Sequence, residues 1–200
     1  MVNELVLASG SPRRQELLKQ MGISYSVRIT GLDESKITNS DPKKLVEELA
    51  RLKGENISLQ EGQVVLSADT VVSYKDQILT KPTNAKEALT MLSNLNGNTH
   101  VVYTGVMIRS KSQASLFSVA TEVEFWDMSN VDLKDYVDSG EWKDKAGGYG
   151  IQSIGAFLVR EIRGDYYNVV GLPLSLVLRQ LKEFSIYPSF PKEKVSEEEK

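Results

Sequence analysis

Short apolar runs alternate with apolar residues at helical spacing along most of the chain. Leu5, Val6 and Leu7 form a run that suits a buried strand. Leu17, Leu18 and Met21 then recur at helical spacing. Ala8 to Ser11 between them are small or flexible. Ser11 suits a helix N-cap, Pro12 the first helical position and Gly22 the position just past the helix end. The stretch reads as strand, tight turn, helix. Ser24 to Ile29 alternates weakly, as a second strand would. Asp41-Pro42 starts a helix with Leu45, Val46, Leu49 and Leu52 on its apolar face, and Lys53 ends it. Gln63 to Ser73 holds two strand-like runs broken by Ala68-Asp69-Thr70. Lys75-Asp76 reads as a turn and Gln77 to Leu79 as a short returning strand.

The second half continues the alternation. Asn84, with Glu87 three residues on, resembles a capping box. It opens a helix with Ala88, Leu89, Leu92 and Leu95 inward, stopped by Gly97. Thr99 to Met107 and Ser115 to Phe125 read as long strands joined by a polar turn. Ser129 and Asp132 cap a helix that ends near Gly140. Trp142 to Ser153 reads as a loop and Ile154 to Ile162 as a strand. Arg163-Gly164-Asp165 is a turn, and Asn168 to Pro173 leads into a last helix with Leu174, Val177, Leu178, Leu181 and Phe184 on one face. The fold class expected is α/β, a mixed sheet flanked by helices. Residues 1–186 read as one domain and 187–200 as a flexible polar tail.

Composition narrows the function. A net charge of −3 and a pI of about 5.4 argue against broad nucleic-acid binding. With no cysteine and one histidine, His100, thiolate and His-rich metal sites are excluded, which leaves any metal to oxygen ligands. His100 lies in a strand pattern and reads as a packed residue. No basic leader precedes an apolar stretch, and no apolar run approaches the ~18–20 residues of a membrane span. The expectation is a cytoplasmic protein that binds no membrane.

The candidate chemistry starts at the first turn. Free backbone N–H groups at a helix N-terminus favour anions. Arg13 and Arg14 would oppose the helix dipole there unless they share an anion with the turn. Solvated surface charge is the plain alternative. The turn is neither a Walker loop nor a GxGxxG turn. Asp69 interrupts an apolar strand, which is costly unless it is paired, binds metal or caps a turn in water. Lys53 lies in a last helical turn, where a cation complements the dipole, and Lys81 follows a strand. Gly147, Gly148 and Gly150 let backbone approach a ligand, or simply form a flexible connection. Cations gathered with the carboxylates Glu34 and Asp69 suit phosphate chemistry on a divalent metal.

The run LVLASGSPRRQELLKQMG, followed in order by SADTVV, LTKP, DKAGGYGIQ and NVVGLPL, resembles the signatures of the Maf family of nucleotide pyrophosphatases. The resemblance covers about residues 5 to 184. It implies a bilobed mixed sheet with a cleft, and hydrolysis of a nucleoside triphosphate to the monophosphate and pyrophosphate with magnesium or manganese. By the same resemblance Asp69 accepts the proton of the attacking water and, with Glu34, holds the metal. Ser9, Ser11, Arg13, Arg14, Lys53 and Lys81 grip the triphosphate. Gly54 departs from the alanine usual after that lysine. Similarity at Arg13, Thr70 and Gln152 points to the branch acting on dTTP and UTP, and the resemblance leaves room for a homodimer. A glutamine amide at 152 offers the donor and acceptor that a pyrimidine edge needs. The alternatives are a 7-methyl-GTP pyrophosphatase, a nucleotide-binding regulator of septum formation without catalysis, and a bare α/β binding module.

Overall fold

The structure is a computed structural model that describes residues 3–29, 31–33 and 37–190. Glu34 and the last ten residues of the tail lie outside the described residues. The described residues form seven strands and six α-helices. The strands are β1 (Glu4–Leu7), β2 (Tyr25–Val27), β3 (Gln63–Tyr74), β4 (Gln77–Leu79), β5 (Thr99–Arg109), β6 (Ala114–Phe125) and β7 (Val159–Arg163). The helices are α1 (Pro12–Gln20), α2 (Pro42–Glu55), α3 (Ala85–Leu95), α4 (Asn130–Asp138), α5 (Tyr166–Val170) and α6 (Leu174–Glu183). One sheet runs in the order β2-β1-β3-β5-β6-β7, with β4 also paired to β3. β1 is parallel to β2 and β3, and the remaining pairs are antiparallel. The expected mixed α/β sheet is therefore present.

Helix boundaries follow local chemistry. Asp41 accepts from the backbone N–H groups of Lys43 and Lys44, and Pro42 follows it. Ser129 and Asp132 form a reciprocal capping box on α4. At α3 the Asn84 side chain accepts from Glu87 N–H, but Glu87 reaches back to Thr83 instead of the cap residue. α2 runs past Lys53 to Glu55. Its Gly54 has a local reason: a Cβ there would lie 2.7 Å from Ser67 Oγ and 3.0 Å from Met107 Sδ.

Three sequence expectations are corrected. β3 is not broken at Ala68-Asp69-Thr70, because its backbone stays paired to β5 through Asp69 opposite Gly105. That glycine lets α2 lie directly on the sheet, since a Cβ would fall 2.2 Å from the Val46 carbonyl oxygen. Ile154 to Ile162 is not one strand. Ser153–Leu158 coils as a 3-10 helix and only Val159–Arg163 extends. Ser153 turns the chain with φ +56, and Gly155 packs against the Gly150 carbonyl where a Cβ would lie 1.8 Å away. The lead-in to the last helix contains a helix of its own, α5, capped by Asp165. In the tail, Ser189 N–H donates to Met21 O.

One face of the sheet carries two apolar cores. Val64, Leu66 and Ala68 of β3 join α1 and α6 around Leu17, Val177 and Leu181. Val72, two turns of the pleat further on, joins α3 and α4 around Leu92, Leu133 and Phe125. These β3 residues share one side because strand side chains alternate. Thr70 lies between them in that row. α2 covers the other face with Val46 and Leu49 against Val71.

His100 is buried in the second core. Its Nε2 lies 2.7 Å from the Tyr149 hydroxyl, and its ring packs edge-on to Phe125. Burial pushes the imidazole from 6.5 down to about 4, so it folds as the neutral ring. The unfolded chain takes up that proton first as pH falls through about 6.5. Stability from this group is complete above that pH and is lost between about 6.5 and 4, by roughly 3 kcal/mol. The expected result is a steeper loss of the urea midpoint between pH 7.5 and 4.5 in the wild type than in His100→Gln, which carries no proton to titrate. Parallel pH profiles would contradict it.

Candidate active site

The site follows from an edge that β3 leaves unpaired. β1 pairs with β3 as far as Leu7 opposite Leu66, and the pairing with β4 starts only at Val72, opposite Leu79. Between them, residues 67–71 have β5 on one side and no strand partner on the other, among the described residues. Asp69 sits in the middle of that gap. A cavity of about 540 Å³ opens there. It brings together Ser9, Ser11, Arg13, Arg14, Lys53, Asp69, Thr70, Lys81 and Gln152, every candidate named from the sequence except Glu34.

The parts reach the cavity from six stretches of the chain. Lys53 comes from the last turn of α2, and its Nζ lies 2.5 Å from Asp69 Oδ1, with both side chains mostly buried. Asp69 Oδ2 makes no hydrogen bond among the described residues. The turn between β1 and α1 supplies Ser9 and Ser11. Ser9 Oγ accepts from Ser11 N–H and from Arg14, which leaves its own proton for a cavity ligand. Ser11 caps α1 by backbone conformation alone, so its hydroxyl is not engaged by the helix. Lys81 is exposed at the mouth, after β4.

Arg13 and Arg14 part company. Arg13 leans across the cavity, where its guanidinium donates to the Asp144 carbonyl at 3.4 Å. Burial lowers its pKa against the opposing pull of Asp144 and Glu141. Arg14 is buried, with 9% exposure, and directs its guanidinium into the protein. Nε donates to Gly171 O at 2.8 Å, Nη1 to Ala68 O at 2.8 Å and Ser9 Oγ at 3.1 Å, and Nη2 to Thr70 Oγ1 at 3.0 Å. Arg14 thus caps the unpaired carbonyl of Ala68 beside Asp69, as a strut of the cavity floor.

The opposite wall is the segment after α4. Gly147 and Gly148 adopt φ near +70, and Gly147 packs against Val72 where a Cβ would lie 3.0 Å away. Tyr149 is buried and lines the cavity with Val72 and Val102, giving one apolar end. Tyr136 Oη accepts from Gly150 N–H at 3.3 Å. Gln152 follows, half-buried, and its amide makes no hydrogen bond among the described residues. Sequence reasoning missed Lys145 and Glu141, which also line the cavity. Lys145 Nζ is 3.7 Å from Glu141 Oε2, and burial followed by the nearby Arg13 charge lowers its pKa. Lys145 stands within the DKAGGYGIQ run, so the signal was on the page.

This arrangement brings cations, a carboxylate with an open oxygen, apolar side chains and an unengaged amide into one cavity. It suits an anionic ligand with a flat polar-edged group. Proteins named dTTP/UTP pyrophosphatase are similar over nearly the whole chain. The one from Halalkalibacterium halodurans is 45% identical over 179 residues, covering 89% of this chain and 94% of its own. The one from Bacillus cereus (strain AH820) is 44% identical over 186 residues, covering 92% and 97%. A solved HAM1 protein from Coxiella burnetii aligns with a TM-score of 0.47 at 14% identity, covering 91% of this chain and 100% of that one. The family model described as "Maf-like protein" matches residues 4–184, and this chain belongs to that family.

Proposed function

We propose that this protein is a nucleoside triphosphate pyrophosphatase that hydrolyses dTTP and UTP between the α- and β-phosphates, releasing the monophosphate and pyrophosphate. One observation carries the reading: Asp69 lines a single cavity together with the phosphate-type turn, Arg13, Lys53, Lys81 and Gln152. The names of the relatives support the same reaction. A nucleoside triphosphate substrate supports a cytoplasmic location.

The turn N–H groups, Ser9, Ser11, Arg13 and Lys81 neutralise and align the triphosphate, which supplies most of the catalysis in reactions of this kind. Asp69 accepts the proton of the attacking water at its open oxygen, while the Lys53 ammonium fixes the carboxylate through the other. The residues fit a divalent metal of the magnesium type. No group of three metal-ligating side chains exists among the described residues, and such a metal takes one or two carboxylates plus substrate phosphates. Asp69, with Glu34, would hold it, and it would supply charge neutralisation on the phosphate oxygens. Arg14 braces the floor. Gln152 gives and accepts a hydrogen bond at the pyrimidine edge.

The expected outcome for Arg13→Ala and Lys81→Ala is a fall in kcat/KM equivalent to roughly 1.5–3 kcal/mol each, the value of a charge-assisted hydrogen bond. Pyrophosphate release from dTTP, UTP and 7-methyl-GTP with magnesium or manganese tests the assignment. dTTP and UTP should be turned over best. A preference for 7-methyl-GTP overturns the branch, and no release from any nucleotide overturns the activity.

A further inference from the structure

The two cores on one face of the sheet meet along a buried polar belt. Arg14 and Thr70 form its end at the cavity. Thr104 lies opposite Thr70 on β5, and Asn168 on α5 closes it, both with 0% exposure. Thr104 occupies the step between Val106 of the first core and Val102 of the second, as Thr70 does between Ala68 and Val72. A polar row at that depth is costly where a member is left unpaired, and Asn168 Oδ1 is one such atom among the described residues.

The pairing has a direction. A threonine hydroxyl has one proton to give and two lone pairs to accept with. Thr104 Oγ1 lies 3.1 Å from the Asn168 backbone carbonyl oxygen, which can only accept and also receives Gly171 N–H, and as the shorter of the two carbonyl contacts in the row it takes the Thr104 proton. The Thr70 and Thr104 hydroxyls are 2.9 Å apart, and with the Thr104 proton placed, Thr70 is the donor. Thr70 Oγ1 in turn accepts from Arg14 Nη2 at 3.0 Å. Its other acceptor within reach, the Gly171 carbonyl, is at 3.5 Å and already receives Arg14 Nε. Asn168 is held in place by its own amide, which donates to Val102 O and to Thr121 Oγ1, both at 3.0 Å.

We propose that Thr104 and Asn168 are positioning residues for the active site: they fix the Thr70 hydroxyl so that it receives Arg14 and gives its proton inward, and the nucleotide meets Thr70 as a shape and not as a hydrogen-bond donor. Arg14 is thereby held with one branch on Thr70 and the other on the Ala68 carbonyl, bracketing Asp69 along the unpaired edge of β3. The effect of this on turnover rests on the pyrophosphatase reading above. The relay itself does not.

The test has two arms on the full-length protein. In the first, denaturant unfolding is measured for Thr70→Val, Thr104→Val and the double variant. The relay predicts non-additivity: the double variant loses less than the sum of the two singles, because the Thr70–Thr104 bond is already broken in either single variant and is counted only once in the double. Additive effects overturn the relay whatever the activity. In the second, kcat/KM is measured for dTTP and UTP, with 7-methyl-GTP as the comparison, well below the unfolding range. Thr104→Val should lose about tenfold on both nucleotides with their ratio unchanged, and Thr104→Ser, which keeps the hydroxyl, should stay within about twofold. Thr70→Val should likewise leave the ratio of dTTP and UTP to 7-methyl-GTP unchanged. A coupled relay with wild-type kinetics in Thr104→Val overturns the positioning role. A changed ratio of pyrimidine nucleotide to 7-methyl-GTP in Thr70→Val overturns the inward proton, since it shows Thr70 bonding to the base. A wild type inactive on every nucleotide defeats the pyrophosphatase reading alone, and the unfolding arm still decides the relay.

Discussion

Asp69→Asn is expected to lower kcat by about 10²-fold or more while leaving the fold intact. The amide keeps the size of the carboxylate and can still face Lys53, but it cannot take a proton. The side chain sits where β3 has lost β1 and not yet gained β4, so the change touches no strand pairing. Asp69 is 16% exposed, and its backbone is held by the Gly105 partner on β5, which argues for an unfolding midpoint close to wild type. Circular dichroism and the urea midpoint check the fold, and pyrophosphate release checks the rate. Activity within a few-fold of wild type would remove Asp69 from the mechanism.

Gln152→Glu is the second large effect expected, and it acts on choice as much as on rate. The Gln152 side chain lines the same cavity as Val72, Val102 and Tyr149. Tyr136 ties down Gly150 two residues earlier, so the amide is presented by a braced segment. Glutamate keeps the length and removes the donor. An unpaired polar edge in a closed pocket costs ~1–3 kcal/mol, so dTTP and UTP should each lose roughly 5- to 150-fold in kcat/KM. 7-methyl-GTP, whose base is cationic, should lose less. Equal losses on all three nucleotides would show that Gln152 does not read the base.

Much of the scaffold was legible because it is local. The β1–α1 unit is written in a three-residue apolar run, a Ser-Pro start and a helical repeat, all within 18 residues of each other. Asp69 was legible because a carboxylate inside an apolar strand demands a partner, and Lys53 is that partner. The position of the cleft was not legible. It depends on where β1 ends and β4 begins along β3, a register set by long-range packing. The two arginines show the same limit. They are adjacent on α1, and which one turns inward is decided by Gly171 and Ala68, 157 and 54 residues away. Ile154 to Ile162 misled for a different reason. Ile154 and Phe157 are about half exposed, so their apolar character marks no strand face, and Ser153 and Gly155 impose a coil.

In the function proposed, the cavity around Asp69 cuts a pyrimidine nucleoside triphosphate between its α- and β-phosphates. The measurement that bears on it most directly is the identity of the products from dTTP with magnesium or manganese, resolved by ion-exchange chromatography or phosphorus NMR, in wild type and Asp69→Asn. The result expected is dTMP and pyrophosphate in equal amounts from the wild type, nearly abolished in the variant. Formation of dTDP and orthophosphate, or product formation unaffected by Asp69→Asn, would contradict it.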